Sequence, residues 1–275
     1  MKHIAGVSTN TYHGFSLEQA LDGISAAGFS YVELTEVKGW TEHVSASMTD
    51  AELAELKEML EKRGLKAFAL SGHCDLMDDD RLKDFTRNIE LAGRLGCDFI
   101  VSSAGEAHFG KDKGTMDELL IENLRRIVPE CKKHRVKLVI EVHGEYGTGA
   151  QLKTVIDAVD SQWVKINYDT ANVVFYGKKL PDEDIKTCSQ AVGYVHLKDK
   201  AGAMDEWNFP APGKGDLKLI ETIEYLEGSG YGGPLSVEIE FTEAFTMNPK
   251  KPEDIDVVNI AVKDAFAFLN GAGLV

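Results

Sequence analysis

Short apolar, β-branched runs alternate along this chain with longer stretches whose apolar residues recur every three or four positions. The short runs have the length and all-round hydrophobicity of strands buried on both faces, as in a parallel sheet. The longer stretches have the one-sided stripe of helices packed on such a sheet. The clearest strand is VKLVIEVHG, Val136 to Gly144, an apolar run that leads directly into a carboxylate, a histidine and a glycine. Seven other runs resemble it: Ile4 to Ser8, Tyr31 to Leu34, Leu65 to Leu70, Asp98 to Ser102, Val164 to Tyr168, Val192 to Leu197 and Leu235 to Ile239.

Helix signals fill the gaps. Ser16 caps a stripe of Leu17, Ala20, Leu21 and Ile24 that Gly28 ends. Thr49 opens a second helix with Leu53, Leu56 and Leu60 inward and Gly64 as its stop. Further helices are expected from about Asp80 to Leu95, Met116 to His134, Gln151 to Val159, from Pro181, Asp216 to Glu227, and Ile255 to Leu269. Eight strand–helix units predict an α/β fold, a closed (β/α)8 TIM barrel in one domain over residues 1–275. An open doubly wound sheet would carry a glycine-rich phosphate turn after an early strand, and GVSTNTYHG has none. The loops after strands four, seven and eight are the longest and are the lid candidates.

Composition narrows the function. The formal net charge is −15, from 45 acidic and 30 basic residues, with no basic stripe, which argues against nucleic acid. Four cysteines without a C-x-x-C pair read as reduced thiols in a cytoplasmic protein. The N-terminal run is too short for a signal peptide, and no stretch has the ~18 apolar residues of a membrane span. Self-association as a homo-oligomer is compatible with the sequence, but nothing in it specifies one.

The chemistry collects at strand ends. Strands five to eight end in Glu141, Asp169, His196 and Glu238. In a parallel barrel those ends share the mouth where such folds place their active sites. Three carboxylates and an imidazole suit one divalent ion, Mn2+ or Mg2+ foremost, with Co2+ or Zn2+ as alternatives. Without a cation they would repel one another. Any one of them alone is more simply a loop cap or half of an ion pair; their joint placement makes the set. Glu240 shares the parity of Glu238 and competes with it, or caps the loop. His73, His143, Asn172 and Lys198 are substrate-binding candidates. Lys198 could instead pair with Asp199 at the surface. Glu106 and His108 follow strand four on the mouth side, and Trp40 and Trp207 sit in mouth loops as pocket walls or plain packing.

VIEVH, NYDTAN, VHLKD, PGKGD and GYGGPLSVEIE together resemble the xylose-isomerase-like barrels, a family that includes ketose 3-epimerases, hydroxypyruvate isomerase, inosose dehydratase and endonuclease IV. The resemblance spans essentially the whole chain. It implies a metal held by Glu141, Asp169, His196 and Glu238, and its glycine-rich turn before the last ligand favours Glu238 over Glu240. It further implies Glu141 and Glu238 as acid/base residues on opposite faces of a small sugar or polyol-derived substrate. Two departures stand out. Asn172 replaces a histidine of the family's D-x-x-H, and an arginine that some epimerases hold after strand seven is missing. The expected activity is a metal-dependent sugar isomerase or epimerase acting through an enediolate. The alternatives are a dehydratase of the inosose or dehydroshikimate type, and a barrel that binds a sugar or metal without turnover.

Overall fold

The computed structural model describes residues 2–105 and 116–275. Its eight barrel strands are Ala5–Ser8, Tyr31–Thr35, Lys66–Ser71, Phe99–Ser102, Lys137–Glu141, Val164–Asp169, Val192–Leu197 and Leu235–Val237. Each pairs in parallel with its neighbour, and the eighth closes onto the first through Val7 opposite Val237, giving a (β/α)8 TIM barrel. Glu106 and His108 lie outside the described residues.

The helix boundaries follow the local signals. Ser16 and Gln19, Thr49 and Glu52, and Thr148 and Gln151 each form a reciprocal capping box, so two otherwise orphaned backbone N–H groups are satisfied at each start. Gly28 and Gly96 end their helices in the left-handed region, at φ 108° and 77°.

Strand parity sorts two environments. On strand seven, Val195 and Leu197 face the helices and join the main apolar core, whereas Tyr194 and His196 face the barrel axis. On strand five, Leu138 and Ile140 pack outward while Val139 and Glu141 point in. The bottom of the barrel is plugged by Phe68, Val101, Val139 and Tyr194, with Tyr31 and Phe99 against them. Gly6 makes room for that plug, since a Cβ there would lie 2.5 Å from the Phe68 ring. Above the plug the axis turns polar, with Glu33, Asn167 and His196 fully buried.

Several features differ from the sequence reading. The eighth strand stops at Val237, so Glu238 stands just past its end. A single helical turn, Asn172–Phe175, follows strand six directly. The loops after strands seven and eight are tied together: Asn208–Phe209 pairs antiparallel with Phe241–Thr242 across the mouth. Two-residue strands carry no periodic pattern, which is why they escape detection in sequence.

Candidate metal centre

Glu141, Asp169, His196 and Glu238 converge, each offering a ligand atom within 4.8 Å of the others, and all four are buried. His196 Nδ1 is the hub. It lies 3.5 Å from Glu141 Oε2, 3.7 Å from Glu238 Oε2 and 3.9 Å from Asp169 Oδ2.

The oxygens facing away from this centre are fastened elsewhere. Asp169 Oδ1 accepts the backbone N–H groups of Ala171 and Asn172, both at 2.8 Å, because the chain turns into the short helix there. Glu141 Oε1 accepts Asn172 Nδ2 at 2.8 Å, and Glu238 Oε1 accepts Asn10 Nδ2 at 3.1 Å. Two inward atoms, Asp169 Oδ2 and His196 Nδ1, are buried without a hydrogen-bond partner among the described residues. Buried orphans of this kind are rare and costly. Two of them facing two further carboxylate oxygens fit a divalent cation with hard oxygen donors and one imidazole.

The electrostatics agree. Burial pushes Asp169 up to about 8, with Lys198 opposing and Glu141 adding to the rise. Burial also disfavours ionised Glu141, but His196 and His73 outweigh it and hold the carboxyl well below its usual range. For His196 burial favours the neutral ring, yet Glu33, Glu141 and Glu238 together raise it well above an ordinary histidine. Protons thus occupy the place a cation would take.

The other candidate residues surround this centre. His73 Nε2 meets Glu141 Oε2 at 2.6 Å, and its Nδ1 meets Ser71 Oγ at 2.9 Å. Asn172 bridges Glu141 and Lys198, whose Nζ lies 3.4 Å from Asn172 Oδ1. His143 is half-buried, 3.2 Å from the Tyr176 hydroxyl, and burial lowers it to about 4. His73, His143, Asn172, Lys198 and Glu240 line one cavity together with Glu141 and Glu238.

Two sequence alternatives are corrected. Lys198 makes no surface pair with Asp199: it is buried, ion-paired with Glu240, 3.3 Å from Glu238 Oε2, and packed over the Phe209 ring. Burial opposes its charge, but Glu240 and Glu238 raise its pKa well above the usual value. Asp199 instead accepts backbone N–H groups from Lys200, Gly213, Gly215 and Leu217, pinning the PGKGD turn. A Cβ on Gly215 would lie 2.4 Å from Asp199 Oδ1, so only glycine fits that position. Glu240, expected as a rival ligand or loop cap, is the buried counter-ion of Lys198. Trp40 stacks on His13 and donates to Asn10 Oδ1; Trp207 packs on Phe175 and Phe209.

Sequence reasoning missed two residues. Asn10, in the turn after strand one, holds Glu238. Glu33, on strand two, holds His196 through Nε2 at 3.1 and 3.2 Å. The only signal for either was a polar side chain at or just beyond the end of an early strand.

The chain belongs to the xylose isomerase-like TIM barrel family, whose description it matches over residues 21–258. It is 25% identical over 239 residues to a Streptomyces coelicolor protein described as a hydroxypyruvate isomerase, covering 78% of this chain and 82% of that protein. An inosose dehydratase of Bacillus thuringiensis is 30% identical over 122 residues, 38% of this chain and 41% of the dehydratase. In fold, the chain resembles D-psicose 3-epimerase from Clostridium cellulolyticum H10, with a TM-score of 0.77, 17% identity and 99% of both chains covered. Among the described residues no helix is long and apolar enough to cross a membrane.

Proposed function

We propose that this protein is a divalent-metal-dependent isomerase or epimerase of a small polyhydroxy ketone or aldehyde, acting through an enediolate. The observation that carries the reading is the arrangement of Glu141 and Glu238. Each turns one oxygen toward the His196 centre and rests the other on a neutral amide, Asn172 or Asn10. A bound Mn2+ or Mg2+ would supply the Lewis acidity that makes the C–H beside a carbonyl acidic.

Removing that proton falls to one glutamate, and returning it at another carbon or face falls to the other. Amide donors orient both carboxylates without competing for the proton. Lys198, kept charged by Glu240 and Glu238, offsets negative charge developing on a substrate oxygen. His143, kept neutral by burial, is suited to bond a substrate hydroxyl. His73 backs Glu141 and borders the same cavity.

The test is isotope exchange. A panel of small ketoses and aldoses is incubated in heavy water with Mn2+, and the wild type is expected to place deuterium beside the substrate carbonyl. Glu141→Gln and Glu238→Gln are expected to lose turnover at saturating metal, with metal content measured in each variant. Near-wild-type turnover in a metal-loaded Gln variant rules out that glutamate as the base.

A dehydratase is the second reading, favoured by the 30% match to inosose dehydratase. It shares the first proton removal and then expels hydroxide from the next carbon. Product NMR separates the two readings: a new isomer, or a sugar lacking one water.

A further inference from the structure

Glu33 is a carboxylate with no exposed surface, placed on the barrel axis beneath the candidate metal centre. Burying a charge there is costly unless partners compensate it. Its strongest contacts join the site above to the plug below. Both carboxylate oxygens lie within 3.2 Å of His196 Nε2, and Tyr194 Oη donates to Oε2 at 2.5 Å. Tyr194 is itself clamped between Phe68 and Phe99 in the plug. The polar layer thus stands on a rigid floor.

His196 has two ring nitrogens with different surroundings. Among the described carboxylates Nε2 faces only Glu33, and Nδ1 faces Glu141, Asp169 and Glu238. A carboxylate accepts hydrogen bonds and does not donate them, so Glu33 requires a hydrogen on Nε2. That leaves Nδ1 to supply its lone pair to an ion. We propose that Glu33 is a positioning residue: it fixes the tautomer and ring orientation of His196 so that Nδ1 is presented as a metal ligand. The inference rests on the metal-site reading above. Outer carboxylates that orient a ligating histidine typically contribute about 10- to 100-fold in metal affinity.

The experiment compares wild type with Glu33→Gln and Glu33→Met, by Mn2+ calorimetry and by thermal melting without metal. Gln keeps the shape but lets an amide N–H face Nε2. Met keeps the approximate volume and removes both oxygens. Either variant that folds is expected to bind Mn2+ roughly 10- to 100-fold more weakly, whatever the change in its metal-free melting temperature. In the Zn2+-loaded wild type, imidazole NMR is expected to show a slowly exchanging Nε2 proton on His196, and the variants are expected to lose that protection. A wild type that takes up no divalent ion overturns both this inference and the metal-site reading. A wild type that binds, beside a folded variant that binds equally well, overturns the role of Glu33 alone. A lower melting temperature with unchanged affinity would likewise make Glu33 a structural residue.

Discussion

The two halves of the barrel mouth perform different tasks. Strands five to eight contribute the four converging donors, Glu141, Asp169, His196 and Glu238. Strands one to three contribute no donor to that set, yet three residues from them, Asn10, Glu33 and His73, each bond a different member of it. One half thus presents the donors, and the other helps to aim them alongside Asn172 of the presenting half. Side chains that support one another across the axis hold a geometry that neither half could hold alone. The C-terminal half also carries its own counter-charge, Lys198, set between Glu238 and Glu240.

The largest expected effect comes from breaking the presenting half. Asp169→Ala removes a buried oxygen that has no hydrogen-bond partner among the described residues, together with the acceptor of two backbone N–H groups. Mn2+ affinity is expected to fall by more than the ~100-fold that supporting residues reach, measured by calorimetry. Retained tight binding would remove Asp169 from the donor set and dissolve the division between the halves.

The next effect concerns protons and separates the halves by chemistry. Burial raises Asp169 to about 8, and His196 is also raised, through Glu33, Glu141 and Glu238 against the opposing effect of burial. Asp169 faces Glu141, Lys198, His196 and Glu238; His196 faces Glu33, Glu141, Asp169 and Glu238. Below about pH 8 the metal-free site therefore holds a proton on Asp169, which an incoming cation must displace. Apparent affinity is expected to fall as pH drops below that value, by about tenfold per unit for each proton released. Calorimetry in buffers of different ionisation enthalpy counts those protons. An affinity independent of pH between 6 and 8 would contradict the expectation.

What the sequence made legible follows the same division. The donors announce themselves because each ends an apolar run on one of four successive strands, and a barrel brings such ends together. The helix starts were legible because Ser16, Thr49 and the residues three positions on from each act locally. Asn10 and Glu33 were not, because their partners, Glu238 and His196, lie far along the chain and are chosen by barrel closure. Lys198 kept a second reading open for a related reason. Asp199 beside it suggested a surface pair, but strand direction turns Lys198 into the pocket and Asp199 onto the PGKGD turn.

The smallest effect tests the aiming half by itself. Asn10 is fixed before it reaches the site: its Oδ1 accepts Trp40 Nε1 at 3.0 Å and Thr41 Oγ1 at 2.8 Å, which leaves Nδ2 directed at Glu238. The loop after strand two thereby braces a residue after strand one, which braces Glu238 after strand eight. Asn10→Ala cuts this chain at its centre and leaves both loop donors without their acceptor. A hydrogen bond to a charged group contributes about 1.5–3 kcal/mol, and at 3.1 Å the lower end applies, so Mn2+ affinity is expected to fall roughly tenfold. Asparagine does not titrate, so that loss is expected to be the same at every pH, with the affinity curve shifted down in parallel to wild type. A changed slope would mean that Asn10 governs the protons of the donor half, and that aiming and presenting are not separate tasks.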